Sequence, residues 1–309
     1  MPWATAQVNP QPLSNKPIRI MVPFGAGGVA DVTSRVVAQQ LSTQMGQPVI
    51  IENKPSAGGI VAADTVVKAP ADGHTLFLMS NGSAVTVKMF KQLPFDMVKD
   101  LTPVSTLGYF DVGVIVDGAS NFQSLSDVVQ YAKSNPGKLN IGSINVGSTQ
   151  HLSAELFKAS AGIDAQVVPF SGTPAVVSAL RGKQVDVGVE ILAPITGQIE
   201  SKSLRLLAVT SDKRSRLLPD VQTAQEQGVN GFVASSWNAL AVPSKTPPAL
   251  VERLYREIAM AVANPEVVKK LKALNVQAHS STPAATSELL KSEIKRWGDV
   301  VDKAGIAQQ

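Results

Sequence analysis

The chain has 309 residues, of which 44% are hydrophobic, 17% charged and 5% aromatic, with a formal net charge of +4. It is long enough to bury a core in two lobes, and its scattered bases and sparse aromatics exclude a nucleic-acid-binding face. The absence of cysteine excludes disulfides, thiolate metal sites and cysteine nucleophiles, and no run of about 18 apolar residues exists to span a membrane.

Residues 1–14 lack periodicity and read as a flexible N-terminal remnant. Within them Ala4-Thr5-Ala6 has the small-x-small form of a signal-peptidase site, without the apolar segment that should precede it. Either an export signal has been trimmed away or the tripeptide is chance. The first strand alternates Ile18, Ile20 and Val22 with Arg19 and Met21. A glycine-rich turn, Pro23 to Asp31, leads into a helix carrying Val32, Val36, Val37, Leu41 and Met45, which Gly46 ends. Backbone N–H groups at Gly25, Gly27 and Gly28 can converge on an anion at the helix's positive end.

Strand and helix then keep alternating. Pro48 to Glu52 is a strand, Ser56-Ala57-Gly58-Gly59 a second glycine turn before an alanine-rich helix to Lys68, and Thr75 to Met79 a strand ending in the polar loop 80–83. An extended run from Leu101 to Val116, interrupted by Gly108 and Gly113, reads as a crossover into a second lobe. There follow a helix over 126–133, a strand over 139–142, a polar loop over 143–149, and a helix from His151 to Ala161 with Leu152, Leu156 and Phe157 on one face. Val167-Val168 runs into the turn 169–173, with Pro174 suited to a first helical turn; strands over 185–189 and 204–209 come next. The chain returns through Phe232 to Val242. Two amphipathic helices end it, one with Leu250, Leu254, Ile258 and Val262, the other with Leu290, Ile294, Trp297, Val301 and Ala304. The last should dock on the first lobe.

Such alternation predicts parallel α/β sheets with ligands at loops beyond the strands' carboxyl ends. Five loops rich in Gly, Ser, Thr and Asn fall there, three in one half and two in the other, as for one ligand held between two lobes. Gly25-x-Gly27-x-x-Ala30 also matches a dinucleotide fingerprint, with Glu52 about 22 residues on as a candidate ribose-binding acid, although Pro23 and Phe24 lengthen the turn. No Walker-type phosphate loop and no Gly-x-Ser-x-Gly elbow occur. His74, His151 and His279 are scattered, which argues against a metal site or a general base. Asp31 fits a carboxylate bracing the first turn of its helix better than a catalytic group.

Lys16 to Asp31, Gly46 to Gly59 and Ala71-Asp-Gly-His-Thr-Leu76 closely resemble the Bug-type, TctC-like receptors, the periplasmic solute-binding proteins of tripartite tricarboxylate transporters. The resemblance continues through Leu93-Pro-Phe-Asp96, Gly147 to Leu152, Val168 to Gly172, Gly182 to Asp186, Leu207 to Ser211 and Leu218 to Val221. It implies a two-lobed type II periplasmic-binding fold, each lobe a mainly parallel sheet flanked by helices. Lobe 1 would comprise 15–106 with 237–309, and lobe 2 would comprise 107–236. The implied function is capture of a small organic carboxylate by cleft closure and delivery to one small and one large membrane subunit, without catalysis, cofactor or metal. The protein would be periplasmic and monomeric. Carried over position by position, the ligand contacts are Phe24, Ala26, Gly27, Gly28, Ser80 and Ser83, then Ser148, Thr149, Phe170, Ser171, Gly172 and Asp186. Two departures from the family pattern are Thr86-Val87 and Val189-Glu190; Glu190, if it reaches the pocket, would repel a second ligand carboxylate or pair with an amino group. The alternatives are a nicotinamide-dependent oxidoreductase and a carboxylate sensor serving a signalling partner.

Overall fold

The computed structural model describes residues 13–215, 218–303 and 308. The tripeptide Ala4-Thr5-Ala6, most of the N-terminal remnant and Ala304 lie outside them. In chain order the elements are β1 (Ile18–Val22), α1 (Val29–Met45), β2 (Val49–Asn53), α2 (Ile60–Val67), β3 (Thr75–Ser80), α3 (Asn81–Met89) and β4 (Leu101–Asp117). Then come α4 (Leu125–Ser134), β5 (Leu139–Ile144), α5 (Thr149–Ala161), β6 (Ala165–Phe170), α6 (Thr173–Arg181), β7 (Val187–Ile191), α7 (Thr196–Glu200) and β8 (Leu204–Val209). The chain closes with β9 (Ser235–Pro243), α8 (Pro248–Ala263), α9 (Pro265–Ala273), β10 (Val276–Ala278) and α10 (Pro283–Lys303).

Two sheets share one strand. The first runs β2-β1-β3-β9-β4 with β10 beside β4, and the second runs β4-β7-β5-β6 with β8 beside β4. Pairing is parallel among β1, β2 and β3 and among β5, β6 and β7, but β4, β8, β9 and β10 run antiparallel to their neighbours. The sheets are therefore mixed. The antiparallel part is built around β4, which runs through both sheets, and the strands laid against it. Thr210 ties the two crossings together: its N–H donates to Val112 O at 2.9 Å, and its carbonyl accepts the Ala234 N–H at 2.7 Å. Gly108 leaves room where β10 presses on β4, since a Cβ there would stand 2.8 Å from the Gln277 carbonyl oxygen.

Each sheet is covered on both faces. Ile18, Ile20 and Val22 pack under α1 and α8. Met21 is as deeply buried on the opposite face, with α2, α3 and α10. The apparent alternation in β1 thus hides a strand with two apolar faces, as parallel sheets require. Leu290, Trp297 and Val301 seat α10 on the first lobe. Leu152 joins that same cluster, whereas Phe157 stacks on Phe232 at 5.2 Å, so α5 divides its apolar residues between two cores.

The polar loop expected at 80–83 is instead the start of α3. Ser80 is its N-cap, and Asn81, Gly82, Ser83, Ala84, Val85 and Thr86 are all buried. A helix enclosed on every side needs no amphipathic stripe, so its turn-like sequence concealed it. Trp297 Nε1 donates to Asn81 Oδ1 at 2.7 Å, locking α10 to the first turn of α3.

Candidate functional site

The carboxyl ends of β1 and β3 face those of β5, β6 and β7 across the crossing strands. Between them lies an inner cavity of about 70 Å³ lined by Phe24, Gly28, Val29, Ala30 and Ser80 from one side and Thr149, Gln150 and Thr173 from the other. It is continuous in residues with an outer opening of about 620 Å³ at Ala26, Gly27, Ser171 and Gly172.

The first wall is a braced glycine loop. Gly28 is the extended N-cap of α1 and Gly27 sits at φ +83°, a conformation glycine adopts without steric cost. Asp31 Oδ2 accepts the Gly27 N–H at 3.0 Å, and Oδ1 accepts Asn53 Nδ2 at 2.9 Å. The same Asn53 amide donates to Phe24 O at 3.0 Å, and Arg35 Nε meets both Asp31 oxygens at 3.0 Å. Burial opposes the charge of Asp31, yet hydrogen bonds from Arg35, the Gly27 N–H and Asn53 together hold its carboxyl below the usual range. Asp31 is thus the brace of the loop.

This brace redirects one expected contact. The Gly27 N–H turns inward to Asp31, so the donors left at the helix mouth are those of Gly28, Val29 and Ala30, which no α-helix can pair within itself. Val29 and Ala30 look like ordinary helix residues in the sequence; only their place in the first turn brings them to the cavity. Gly59 supports the loop from below. It lies at φ +67°, and a Cβ there would stand 2.7 Å from Pro23 Cβ. Gly59→Ala is therefore expected to cost about 2–3 kcal/mol, through left-handed strain and displacement of Pro23, measurable by chemical denaturation.

Ser80 and Asn238 pair side by side across β3 and β9. Both polar atoms of the Asn238 amide are buried without a hydrogen-bond partner among the described residues, and the Ser80 hydroxyl, whose oxygen faces the Ser83 N–H in a capping box, has no acceptor for its own proton there. Buried polar atoms are rarely left so, and three of them facing one cavity mark a place for a polar guest. Ser236 lines the same cavity, with its hydroxyl 3.5 Å from that of Thr149. Sequence reading missed Ser236 and Asn238, because they lie inside a strand rather than in a loop.

The second wall is formed by the starts of α5 and α6. Ser148 is occupied in capping: its Oγ accepts the His151 N–H at 3.1 Å and donates to Ile144 O at 2.8 Å. Behind this wall Glu190 is fully buried. Its Oε2 accepts Thr173 Oγ1 at 3.0 Å and Gln150 Nε2 at 3.4 Å. Burial pushes its pKa up to about 7, against the pull of Thr173, Gln150 and the Ile191 N–H.

The structure does not bring all expected residues together. Ser83 and Ser148 line a small adjoining pocket beside Gly82 and Gly147. The Phe170 ring packs into the second lobe's core, within reach of Gly142. Asp186 precedes β7, at the end opposite Glu190, where its Oδ2 accepts the Asn140 N–H at 2.8 Å. It fixes strand register far from the cleft. Glu52, the candidate ribose acid, is taken by Arg19, whose Nη2 donates to it at 2.7 Å. None of the lining residues of these pockets is Lys, Arg or His. Among the described residues no cluster of three or more His, Cys, Asp or Glu could hold a metal ion.

The model of the tripartite tricarboxylate transporter family receptor matches residues 33–306. The chain belongs to this receptor family. Its members are solute-binding receptors and not enzymes, so the dinucleotide-fingerprint reading falls away. The protein BugT of Bordetella pertussis is 34% identical over 292 residues, 94% of this chain and 90% of its own. Two solved structures share 30% identity. One is Rpa4515 of R. palustris with adipate, at a TM-score of 0.90 over 95% of this chain and 99% of its own. The other is MatC from Rhodopseudomonas palustris with bound malate, at 0.85 over 93% and 99%. The two-lobed periplasmic-binding fold follows from these likenesses.

Proposed function

We propose that the protein captures a small organic carboxylate in the periplasm and delivers it to the membrane subunits of a tripartite transporter. The observation that carries this reading is the inner cavity itself. Helix-end N–H groups, the spare Ser80 O–H and the unpaired Asn238 amide face it, and no cation lines it. Such a site neutralises a carboxylate by hydrogen bonds and a helix dipole, worth up to about 2 kcal/mol for the dipole alone in a partly buried site. The adipate and malate bound by the two solved relatives support the same ligand class. Among the described residues no helix is long and apolar enough to cross a membrane.

The lobes are read as 15–106 with 237–309, and 107–236, closing about the paired crossings near Val112 and Ala234. First-lobe contacts dock the carboxylate. Contacts from Thr149, Gln150 and Thr173 form on closure and supply the differential affinity that favours the closed state. The test is a thermal-shift screen with carboxylates and dinucleotides. A carboxylate at about 100 times its Kd should add about 2.7 kcal/mol and raise Tm by about 4 °C. Stabilisation by dinucleotides alone would overturn the reading.

A further inference from the structure

The second wall carries a buried acid that capture of a carboxylate does not use. Two helices, α5 and α6, direct their positive ends at the cleft, and a ligand anion could dock there as readily as at α1. Behind those two helix ends the chain sets an acid of its own. Glu190 Oε2 accepts hydrogen bonds from Thr173 Oγ1 at 3.0 Å and Gln150 Nε2 at 3.4 Å. Because Thr173 spends its one O–H on Glu190, it presents only lone pairs to the cavity it lines. Gln150 retains its carbonyl oxygen and its second amide N–H. Glu190 Oε1 has no partner among the described residues, and no charged side chain contributes to the acid's environment.

The two walls therefore differ in charge: the mouth of α1 offers N–H donors with no acid turned to the cavity, whereas at the far wall a buried acid is set against the two helix ends, with the Thr173 lone pairs and the Gln150 carbonyl oxygen on the cavity side. We propose that Glu190, acting through Thr173 and Gln150, selects a carboxylate whose second end is a hydrogen-bond donor, an ammonium group above all, over a dicarboxylate of the same length. A zwitterion answers both ends. A dicarboxylate sets its second charge against Glu190 in a site with no cation to offset it. This inference rests on the receptor reading above.

The experiment is calorimetric titration of matched pairs, ω-amino acids against dicarboxylates of equal chain length, at about pH 8, above the Glu190 pKa of about 7. Wild type should bind the better amino acid at least about tenfold more tightly than its dicarboxylate partner, and Glu190→Gln should erase or reverse that ratio. Glutamine places an oxygen where Oε2 lies and a donor where Oε1 lies, so it mimics the protonated acid. Thr173→Val provides a second variant, expected to narrow the preference by removing the hydroxyl that relays it. A wild-type preference for dicarboxylates, or a ratio unchanged in folded Glu190→Gln, overturns the selection while leaving the receptor standing. Wild type that binds neither class overturns the receptor reading itself.

Discussion

Asp31→Ala should leave a folded protein that has lost about 2–4 kcal/mol of stability and about two orders of magnitude in carboxylate affinity. The carboxylate it removes is buried and accepts from Gly27, Asn53 and Arg35 at once. Hydrogen bonds to a charged group are worth about 1.5–3 kcal/mol, and truncation also strands the donors left behind. The half-exposed Arg35 contributes little to that sum, because a pair open to solvent is well screened. The larger effect is on function. Without Asp31 nothing fixes the Gly27 N–H inward, and the free donors of Gly28, Val29 and Ala30 lose their common direction. Asp31→Asn should lie between, retaining the shape while turning an N–H toward another N–H. Denaturant titration and calorimetry on the same samples separate the two effects. Unchanged affinity in a folded Asp31→Ala protein would show that the loop is not the carboxylate cradle.

Glu190 should make the unliganded protein more stable in mild acid than at neutral pH. In the folded state its carboxyl holds a pKa of about 7, against an ordinary 4.5. Below pH 4.5 the folded and unfolded chains both carry the proton, and the contribution is whole. Between 4.5 and about 7 the unfolded chain releases its proton while the folded chain retains it, so stability falls as pH rises. The loss across that window is about 3 kcal/mol. Asp111 and Glu293, raised by burial, act in the same sense; His151, lowered by burial, acts in the opposite sense as pH rises through 6.5. Glu190→Gln retains those three and removes only its own share. The difference between the two stability curves should therefore close by about 3 kcal/mol between pH 7.5 and pH 4.5, with the variant more stable at neutral pH. Parallel curves would mean that Glu190 does not hold its proton in the folded chain.

The sequence made the fold legible wherever period and punctuation agreed. Gly46 ends α1 at φ +61°, Pro174 opens α6, and the run through Gly108 and Gly113 is the strand shared by both sheets. Legibility failed where burial replaced patterning. The start of α3 looks like a turn because Asn81, Gly82 and Ser83 pack against protein on every side. The short β10 and α7 carry too few residues to show any period. At the site, the glycine loop and Asp31 could be read because strand, glycines and helix follow one another in the chain. Ser236, Asn238, Gln150 and Thr173 could not be assigned from local pattern, since only tertiary pairing brings them to one cavity. Asp186 shows the converse: a motif residue at the wrong end of its strand.

Trp297 and its helix also set the order in which the protein can be completed. Strand β3 finds its antiparallel neighbour β9 about 160 residues later, after the whole second lobe has intervened. The faces of α2 and α3 stay uncovered until Leu290, Trp297 and Val301 arrive at the very end of the described chain. A nascent first lobe is therefore an unfinished surface, and contacts this distant in sequence favour slow maturation. Native structure in the first lobe therefore resists unfolding only after α10 has docked, however early its first strands are made.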